Sequence, residues 1–197
     1  MLSQHPFKCV IRRWINGILT LAVSLALMPI AWAGSYDVCE VGCPYTSIQS
    51  ALNAASPGSV VTVGPGTFRE SIALRPGVVL RGAGRNETVI QGSGSNPVVT
   101  ASGSSIGRNT AVDALTITGG GGSTGGGVFI WNGAQPALRN VLIRHNQATA
   151  SGAGVYAGRG SGVLIENSVI RDNTSASGVA VTLNDGGHAT LRLYHPK

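Results

Sequence analysis

From residue 58 onward, apolar residues come in short runs that end at glycine or at proline followed by glycine. The first four runs are Val60–Val63, Ile72–Leu74, Val78–Leu80 and Thr88–Ile90. Each run has three or four residues, whereas strands of globular proteins most often have about 5–6. Runs rich in β-branched residues between tight-turn residues predict strands. The pattern therefore predicts many very short strands.

One segment, residues 45–56, has a helical pattern instead. Ile48, Ala51 and Leu52 follow the spacing of an apolar stripe on one face of a helix. The Pro-Gly pair that comes next predicts the end of this helix. The chain thus predicts one amphipathic helix ahead of a long region of strands and turns.

The second half of the chain repeats. The sequence GGGVFIWNGAQPALRNVLIRHN starts at Gly125, and GAGVYAGRGSGVLIENSVIRDN starts at Gly152, 27 residues later. A third copy begins at Gly178, 26 residues further on. A repeat of this length that consists of strands and turns is typical of a solenoid. With about three short strands per repeat, it predicts a parallel β-helix in which each repeat forms one coil.

Residues at the same position of successive coils lie about 4.8 Å apart and stack. The repeat predicts apolar stacks inside the coils, formed by Val128, Val155 and Val181, and by Ile117, Ile143 and Ile170. It also predicts two corner stacks, in which asparagine tolerates the turn and its amide bonds to the next coil: Asn140 with Asn167, and Asn146 with Asn173. We expect the helix to close the N-terminal end, because an open end exposes unpaired strand edges.

A family resemblance rests on residues 43–74, CPYTSIQSALNAASPGSVVTVGPGTFRESIAL, and on VVLRGAGRNETVIQG after them. This stretch resembles the N-terminal part of secreted proteins of the pectin lyase-like superfamily. The later coils resemble the repeats of polymorphic surface proteins and bacterial parallel β-helix proteins. The resemblance covers about residues 39–193 and implies an all-β fold, a right-handed single-stranded parallel β-helix with an N-terminal capping α-helix. That fold carries lyases, hydrolases, esterases, epimerases and adhesins, so it implies no single function.

Residues 1–33 predict a secretory signal peptide. Three basic residues precede an apolar stretch, and an Ala-Trp-Ala sequence then matches a cleavage site between Ala33 and Gly34. A retained membrane anchor is the alternative, but the apolar run is shorter than the roughly 20 residues that a membrane span needs. We therefore expect a secreted, periplasmic or cell-surface protein without a transmembrane segment once the signal is removed.

Two cysteines, Cys39 and Cys43, remain beyond the leader. In an oxidising compartment the simplest interpretation of such a pair is a short-loop disulfide. A metal site would need two further ligands, and no histidine lies nearby in the sequence; two free thiols are the other alternative. Residues 34–57 are thus predicted to hold the cysteine pair and the capping helix, and residues 58–197 the coils.

Composition agrees with a folded, strand-rich chain and excludes some classes. Glycine accounts for 29 of 197 residues without a G-X-Y period, which excludes collagen. Of the 14 basic residues, three lie in the leader, which leaves 11 basic and 8 acidic residues scattered along the rest. A chain without a basic run gives nucleic-acid binding little support.

Candidate catalytic groups are scarce. Asp113 and Glu166 share a coil position, with Arg139 between them, and alternating charge along a column more often neutralises a solvated face than performs catalysis. Arg144 stacks on Arg171, but no acidic cluster accompanies them for the Ca²⁺ that a lyase would use. We therefore assign no catalytic residue, metal or cofactor, and expect Ca²⁺ only if the protein is an enzyme.

The aromatic residues suggest binding. If Val128 points inward, strand alternation sends Phe129 and Trp131 outward, and Tyr156 then lies one coil from Phe129. Three exposed aromatic rings would form a platform for sugar rings. Arg144 and Arg171 would add contacts to acidic sugars if they face the same way. The alternative is an aromatic ladder that only stabilises strand pairing.

The third copy stops before its coil is complete, which predicts that the chain is an N-terminal fragment with an incomplete C-terminal coil. The function predicted is an exported, non-catalytic β-helix module that binds a glycan or a cell-surface polysaccharide. Two alternatives stay open. One is the N-terminal part of a polysaccharide-active lyase, hydrolase or esterase. The other is a structural stalk or adhesin, which can self-associate through the open C-terminal coil.

Overall fold

The computed structural model describes residues 37–184 and 186–192. In this part of the chain there are one helix, α1, and eighteen short strands. The first sheet contains β1 Val60–Val63, β4 Val79–Gly82, β7 Ala111–Asp113, β10 Ala137–Arg139, β14 Gly162–Glu166 and β18 His188–Arg192. The second contains β2 Gly66–Phe68, β5 Thr88–Gln91, β8 Thr116–Thr118, β11 Leu142–Arg144 and β15 Val169–Arg171. The third contains β3 Ile72–Ala73, β6 Val99–Ser102, β9 Val128–Trp131, β13 Val155–Ala157 and β17 Val181–Leu183.

Every strand pairs in parallel with a strand of the adjacent coil. Successive strands along the chain belong to the first, second and third sheet in turn. A short fourth pairing joins β12 Gln147–Ala148 to β16 Thr174–Ser175. This architecture confirms the predicted parallel β-helix. It follows from the repeat, because each strand is too short to form a stable sheet alone and gains its partners only from neighbouring coils.

The register confirms both predicted apolar stacks. Val155 pairs with Val128 on one side and with Val181 on the other. Ile143 pairs with Ile117 and with Ile170 in the same way. Ile117, Ile143, Val128 and Val155 are fully buried. The core is therefore a continuous column of aliphatic side chains along the inside of the coils, and its burial favours folding by about 25 cal/mol per Å² of apolar surface.

The predicted capping helix is confirmed as α1, which spans Ile48–Ala54 and is shorter than expected. Ser47 forms the N-cap, and its hydroxyl accepts a hydrogen bond from the Ser50 amide. Tyr45 lies outside the helix because its backbone pairs with Val38. Ile48 and Leu52 are buried, so the apolar stripe packs on the first coil as its spacing predicted.

Two polar side chains hold this cap in place. Glu70 accepts hydrogen bonds at its carboxylate from the amides of Ile48, at 2.8 Å, and Gln49, at 3.0 Å. The side chain of Gln49 in turn pairs with the backbone of Ala73, accepting from its amide at 2.7 Å. A carboxylate satisfies the free amides at a helix start and interacts favourably with the helix dipole. Both residues belong to the segment that carries the family resemblance, and here they have a structural role.

A disulfide joins Cys39 to Cys43, which confirms the predicted pairing. The preceding chain is held by Asp37, whose carboxylate accepts from the amide and the hydroxyl of Thr62 at 2.7 and 2.9 Å. Val38 bridges to Val63 at the end of β1. The segment thus adds backbone pairing to the edge of the first strand. The predicted signal peptide, with its cleavage site between Ala33 and Gly34, lies outside the described residues.

The two asparagine stacks differ in kind. Asn140 and Asn167 have left-handed backbones, with φ of 51° and 45°, and the Asn167 amide donates to Asn140 Oδ1 at 2.6 Å. Asn146 is fully buried and donates to Asn173 Oδ1 at 2.9 Å, while its own Oδ1 accepts from the amide of Gly120. At this second corner the residues before them, His145 and Asp172, have the left-handed backbone. Asn146 and Asn173 therefore satisfy buried backbone groups and do not form the turn themselves.

Candidate functional site

The outer face of the third sheet carries a cluster of aromatic rings, which we call the aromatic patch: Phe129, Trp131 and Tyr156. Phe129 and Trp131 alternate along β9 with Val128 and Ile130, which are fully buried. Ring centroids lie 5.7 Å apart for Phe129 and Trp131, 5.7 Å for Phe129 and Tyr156, and 6.1 Å for Trp131 and Tyr156. The ring planes differ by 10–28°. The rings thus stack on one another in a near-parallel arrangement.

The patch differs from the expected platform of three exposed rings. Phe129 and Trp131 are half-buried, but Tyr156 is only 6% exposed. Tyr156 lies between Phe129 on one coil and Thr182 on the next, and Trp131 leans over the same space. Strand alternation predicted the direction of the tyrosine correctly. Its exposure was predicted wrongly, because neighbouring side chains cover the ring.

Gly158 makes this packing possible. It occupies the repeat position of Trp131, 27 residues further along the chain. A Cβ atom at Gly158 would lie 2.6 Å from Trp131 Cζ3 and 2.9 Å from Tyr156 Cε1. The missing side chain therefore leaves room for the indole to lie across the neighbouring coil. The alignment of tryptophan with glycine in the repeat is the signal in the sequence for this contact.

A cation that was not predicted accompanies the patch. The guanidinium carbon of Arg159 lies 5.8 Å from the centroid of the Trp131 ring, within the range of a cation–π contact. Arg159 itself is exposed, and its Nη1 donates to Asn132 Oδ1 at 3.4 Å. The aromatic patch thus has a positively charged edge.

The two arginines predicted to accompany the aromatic rings lie elsewhere. Arg144 and Arg171 are neighbours on adjacent coils, as expected, but in the second sheet, on strands β11 and β15. Arg171 forms an ion pair with Asp172. The Nε of Arg144 is buried without a hydrogen-bond partner in the part of the chain that the structure describes. A corner separates this sheet from the aromatic patch, so the structure does not bring the two groups together.

The first sheet carries a different outer column, which we call the charge column: Arg81, Asp113, Arg139, Glu166 and Arg192. Arg81 pairs with Asp113 at 3.1 Å, and Arg139 pairs with Glu166 at 2.7 Å. Asp113 also accepts from the Asn140 amide at 2.9 Å. These carboxylates are thus held by cations and amides on adjacent coils. The geometry fits the interpretation that the column neutralises an outer face.

Residues 37–184 and 186–192 contain neither a cluster of metal-ligating side chains nor a helix that could cross a membrane. No group of three or more histidine, cysteine, aspartate or glutamate side chains is arranged to hold a metal ion there. In the same residues, no helix is long and apolar enough to cross a membrane.

Comparison with known proteins identifies the class. The family profile described as "Right handed beta helix region" matches residues 58–195. The chain therefore belongs to the right-handed β-helix family, which the parallel coils of the structure bear out. A solved structure of a pectin methylesterase mutant in complex with a hexasaccharide is similar, with a TM-score of 0.47 and 18% identity over 68% of this chain. This chain spans 50% of that protein. A search of curated proteins found no match.

Proposed function

We propose that this protein is an exported β-helix module that binds a glycan through the aromatic patch. The observation that carries the proposal is the half-exposed pair of rings, Phe129 and Trp131, held side by side on a rigid strand. Sugar rings present apolar C–H faces that pack on aromatic surface, and a pre-ordered surface loses little entropy on binding. The buried ring of Tyr156 on the adjacent coil supports the proposal, because it packs against both rings and holds their orientation.

Two features support export. The leader at residues 1–33 has the charge, apolar stretch and cleavage sequence of a signal peptide. The disulfide between Cys39 and Cys43 is of the kind that persists in oxidising compartments. A glycan outside the cytoplasm, free or on a cell surface, is therefore the ligand that we propose.

The positions of the carboxylates favour binding over catalysis. Glu70 is committed to the start of α1, and Asp37 to Thr62. Asp113 and Glu166 are committed to the charge column. A glycosidase needs two carboxylates placed across a substrate bond, whereas Glu70 and Asp37 bond to backbone amides and the two carboxylates of the column each face an arginine.

The test is retention of the purified chain on immobilised polysaccharides. The panel contains a neutral glucan, polygalacturonate, alginate and a sulfated dextran. We expect the wild type to be held by at least one of them, and the double variant Phe129→Ala with Trp131→Ala to be released. A second variant, Trp131→Leu, keeps apolar packing but loses the aromatic face, and it should also be released. The double variant Val169→Ala with Val179→Ala removes exposed apolar side chains elsewhere and should be retained.

Two other results would replace the proposal. New reducing ends, unsaturated products or released acid, with or without added Ca²⁺, would establish an enzyme instead. Concentration-dependent association without any glycan, seen by sedimentation, together with unchanged retention of the aromatic variants, would establish a structural stalk. Melting temperatures of all variants must be measured alongside, so that loss of the fold is separated from loss of binding.

A further inference from the structure

Arg159 occupies a turn position that favours a different residue. In the preceding coil the same corner is formed by Asn132 and Gly133, with φ of 56° and 79°. Arg159 and Gly160 repeat this geometry, with φ of 54° and 70°. The left-handed backbone suits glycine, asparagine and aspartate, and a long side chain adopts it at a cost in conformational energy. An arginine at this place is therefore a departure from the turn chemistry of its own repeat.

The side chain of Arg159 is also placed differently from the arginines of the charge column. Arg81, Arg139 and Arg192 each face a carboxylate of the charge column. Arg159 instead lies over Trp131, and no carboxylate of residues 37–184 and 186–192 forms an ion pair with it. Its hydrogen bond to Asn132, at 3.4 Å, is at the long end of the range. The side chain of Arg159 is thus exposed beside the half-buried rings, with one long hydrogen bond within the described part of the chain.

We propose that Arg159 makes the aromatic patch selective for anionic glycans, those whose sugars carry carboxylate or sulfate groups. This inference rests on the proposed function of the patch. A sugar ring that packs on Phe129 and Trp131 would bring a substituent within reach of the guanidinium. Contact with the indole holds the flat guanidinium in place, and its N–H edge can then form two parallel hydrogen bonds to an oxyanion.

The selectivity follows from the same geometry. A neutral sugar gains the stacking contact alone, whereas an anionic sugar gains a charge-assisted hydrogen bond as well. Such bonds are about twice as strong as neutral ones. Because the cation lies at the edge of the patch and not beneath it, removal of its charge should leave the stacking surface intact.

The experiment compares the wild type with Arg159→Asn in the full chain. Asparagine is the residue of the preceding coil at this turn, so the variant should melt at the same temperature as the wild type or above it. The probes are two matched pairs, polygalacturonate with its methyl ester, and dextran sulfate with dextran. We expect affinity for the anionic member of a pair to fall about tenfold, as the loss of one charge-assisted bond implies, with no change for the neutral member.

Two further variants sharpen the result. Arg159→Lys keeps the charge but not the flat donor edge, and should lose part of the affinity for the anionic polymers. Arg171→Gln removes the same charge from the second sheet and should bind as the wild type does. A loss confined to polygalacturonate identifies carboxylate as the ligand group, and a loss confined to dextran sulfate identifies sulfate.

Other outcomes overturn the inference. Suppose that Arg159→Asn binds all four polymers like the wild type, while the Phe129→Ala, Trp131→Ala double variant does not. The proposal that Arg159 gives selectivity is then wrong, and the proposal that the aromatic patch binds glycan is supported. If affinity falls equally for neutral and anionic polymers, the arginine acts only by positioning Trp131. If the wild type is held by none of the polymers, the proposed function fails together with this inference.

Discussion

The charge column and the aromatic patch have the same origin and opposite consequences. Both arise because the repeat places residues of successive coils side by side on an outer face. On the first sheet, opposite charges meet, and Glu166 lies between Arg139 at 2.7 Å and Arg192 at 3.5 Å. On the third sheet, aromatic rings meet at 5.7 Å, with Arg159 beside them.

The two faces differ in how much of their surface is already occupied by contacts between neighbouring coils. Alternating charges neutralise one another along the column, so that a ligand ion would have to displace a partner that is already in place. Aromatic rings that stack still leave part of their apolar surface in water, and the cation beside them faces no carboxylate among the described residues. Under the proposed function, a repeated column can bind a ligand when its members do not satisfy each other completely.

Of the changes that test the difference between the two outer faces, Tyr156→Ala is expected to have the largest effect on stability. Tyr156 is only 6% exposed, so removal of its ring should leave a cavity between two coils. We expect this cavity to lower the free energy of unfolding by about 3 kcal/mol. Denaturant unfolding measures it, and Tyr156→Phe is the matched control that keeps the ring. A loss below about 1 kcal/mol would mean that the ring contributes little to the packing of the coils.

An intermediate effect is expected for Gly158→Ala. The added Cβ would lie 2.6 Å from Trp131 Cζ3, so the indole has to move away from the neighbouring coil. We expect a loss of about 1–2 kcal/mol in stability from this overpacking, together with weaker glycan retention. Gly84→Ala is the control, since its nearest contact, at 3.4 Å, is the flexible end of Glu87. Retention equal to that of the wild type would separate the position of Trp131 from binding.

The smallest effect is expected in the charge column. Glu166→Gln removes the partner of Arg139 and Arg192, but partly exposed pairs contribute little, and we expect a loss of about 0.5–1 kcal/mol. The loss should shrink in 1 M salt because the ions screen it, and glycan retention should not change. Glu87→Gln, at an exposed carboxylate outside the column, is the control. Reduced retention would show that the first sheet takes part in binding.

Much of the coil architecture could be predicted because it depends on local repetition. The 26- and 27-residue offsets gave the partners of Val155 and Ile143 correctly, since a residue one coil away is always the backbone neighbour. The start of α1 was predicted three residues too early, at residue 45 instead of Ile48. The helix starts later because Ser47 and Glu70 satisfy its first amides. The periodicity of apolar residues contains no information about these polar contacts.

The candidate site was predicted only in part. Phe129 and Trp131 were placed on the outer face because alternation along a strand is a local property. Arg144 and Arg171 were expected to contact a ligand only if they face the same way as the aromatic rings. The corners of the coil place them on another sheet instead. Arg159 was missed because its importance comes from a tryptophan 28 positions earlier in the sequence, across one coil.

The amino-acid sequence was enough to predict the period of the coils, the stacks that fill them and the cap at the N-terminal end, and it made a disulfide the simplest interpretation of Cys39 and Cys43. These depend on backbone neighbours that the repeat dictates, or on residues close together in the chain. Three features are visible only in the folded coils: Tyr156 is covered, Gly158 makes room for Trp131, and Arg159 lies over the indole. Such features depend on the volumes and directions of side chains from adjacent coils, which are defined only when the coils are packed together.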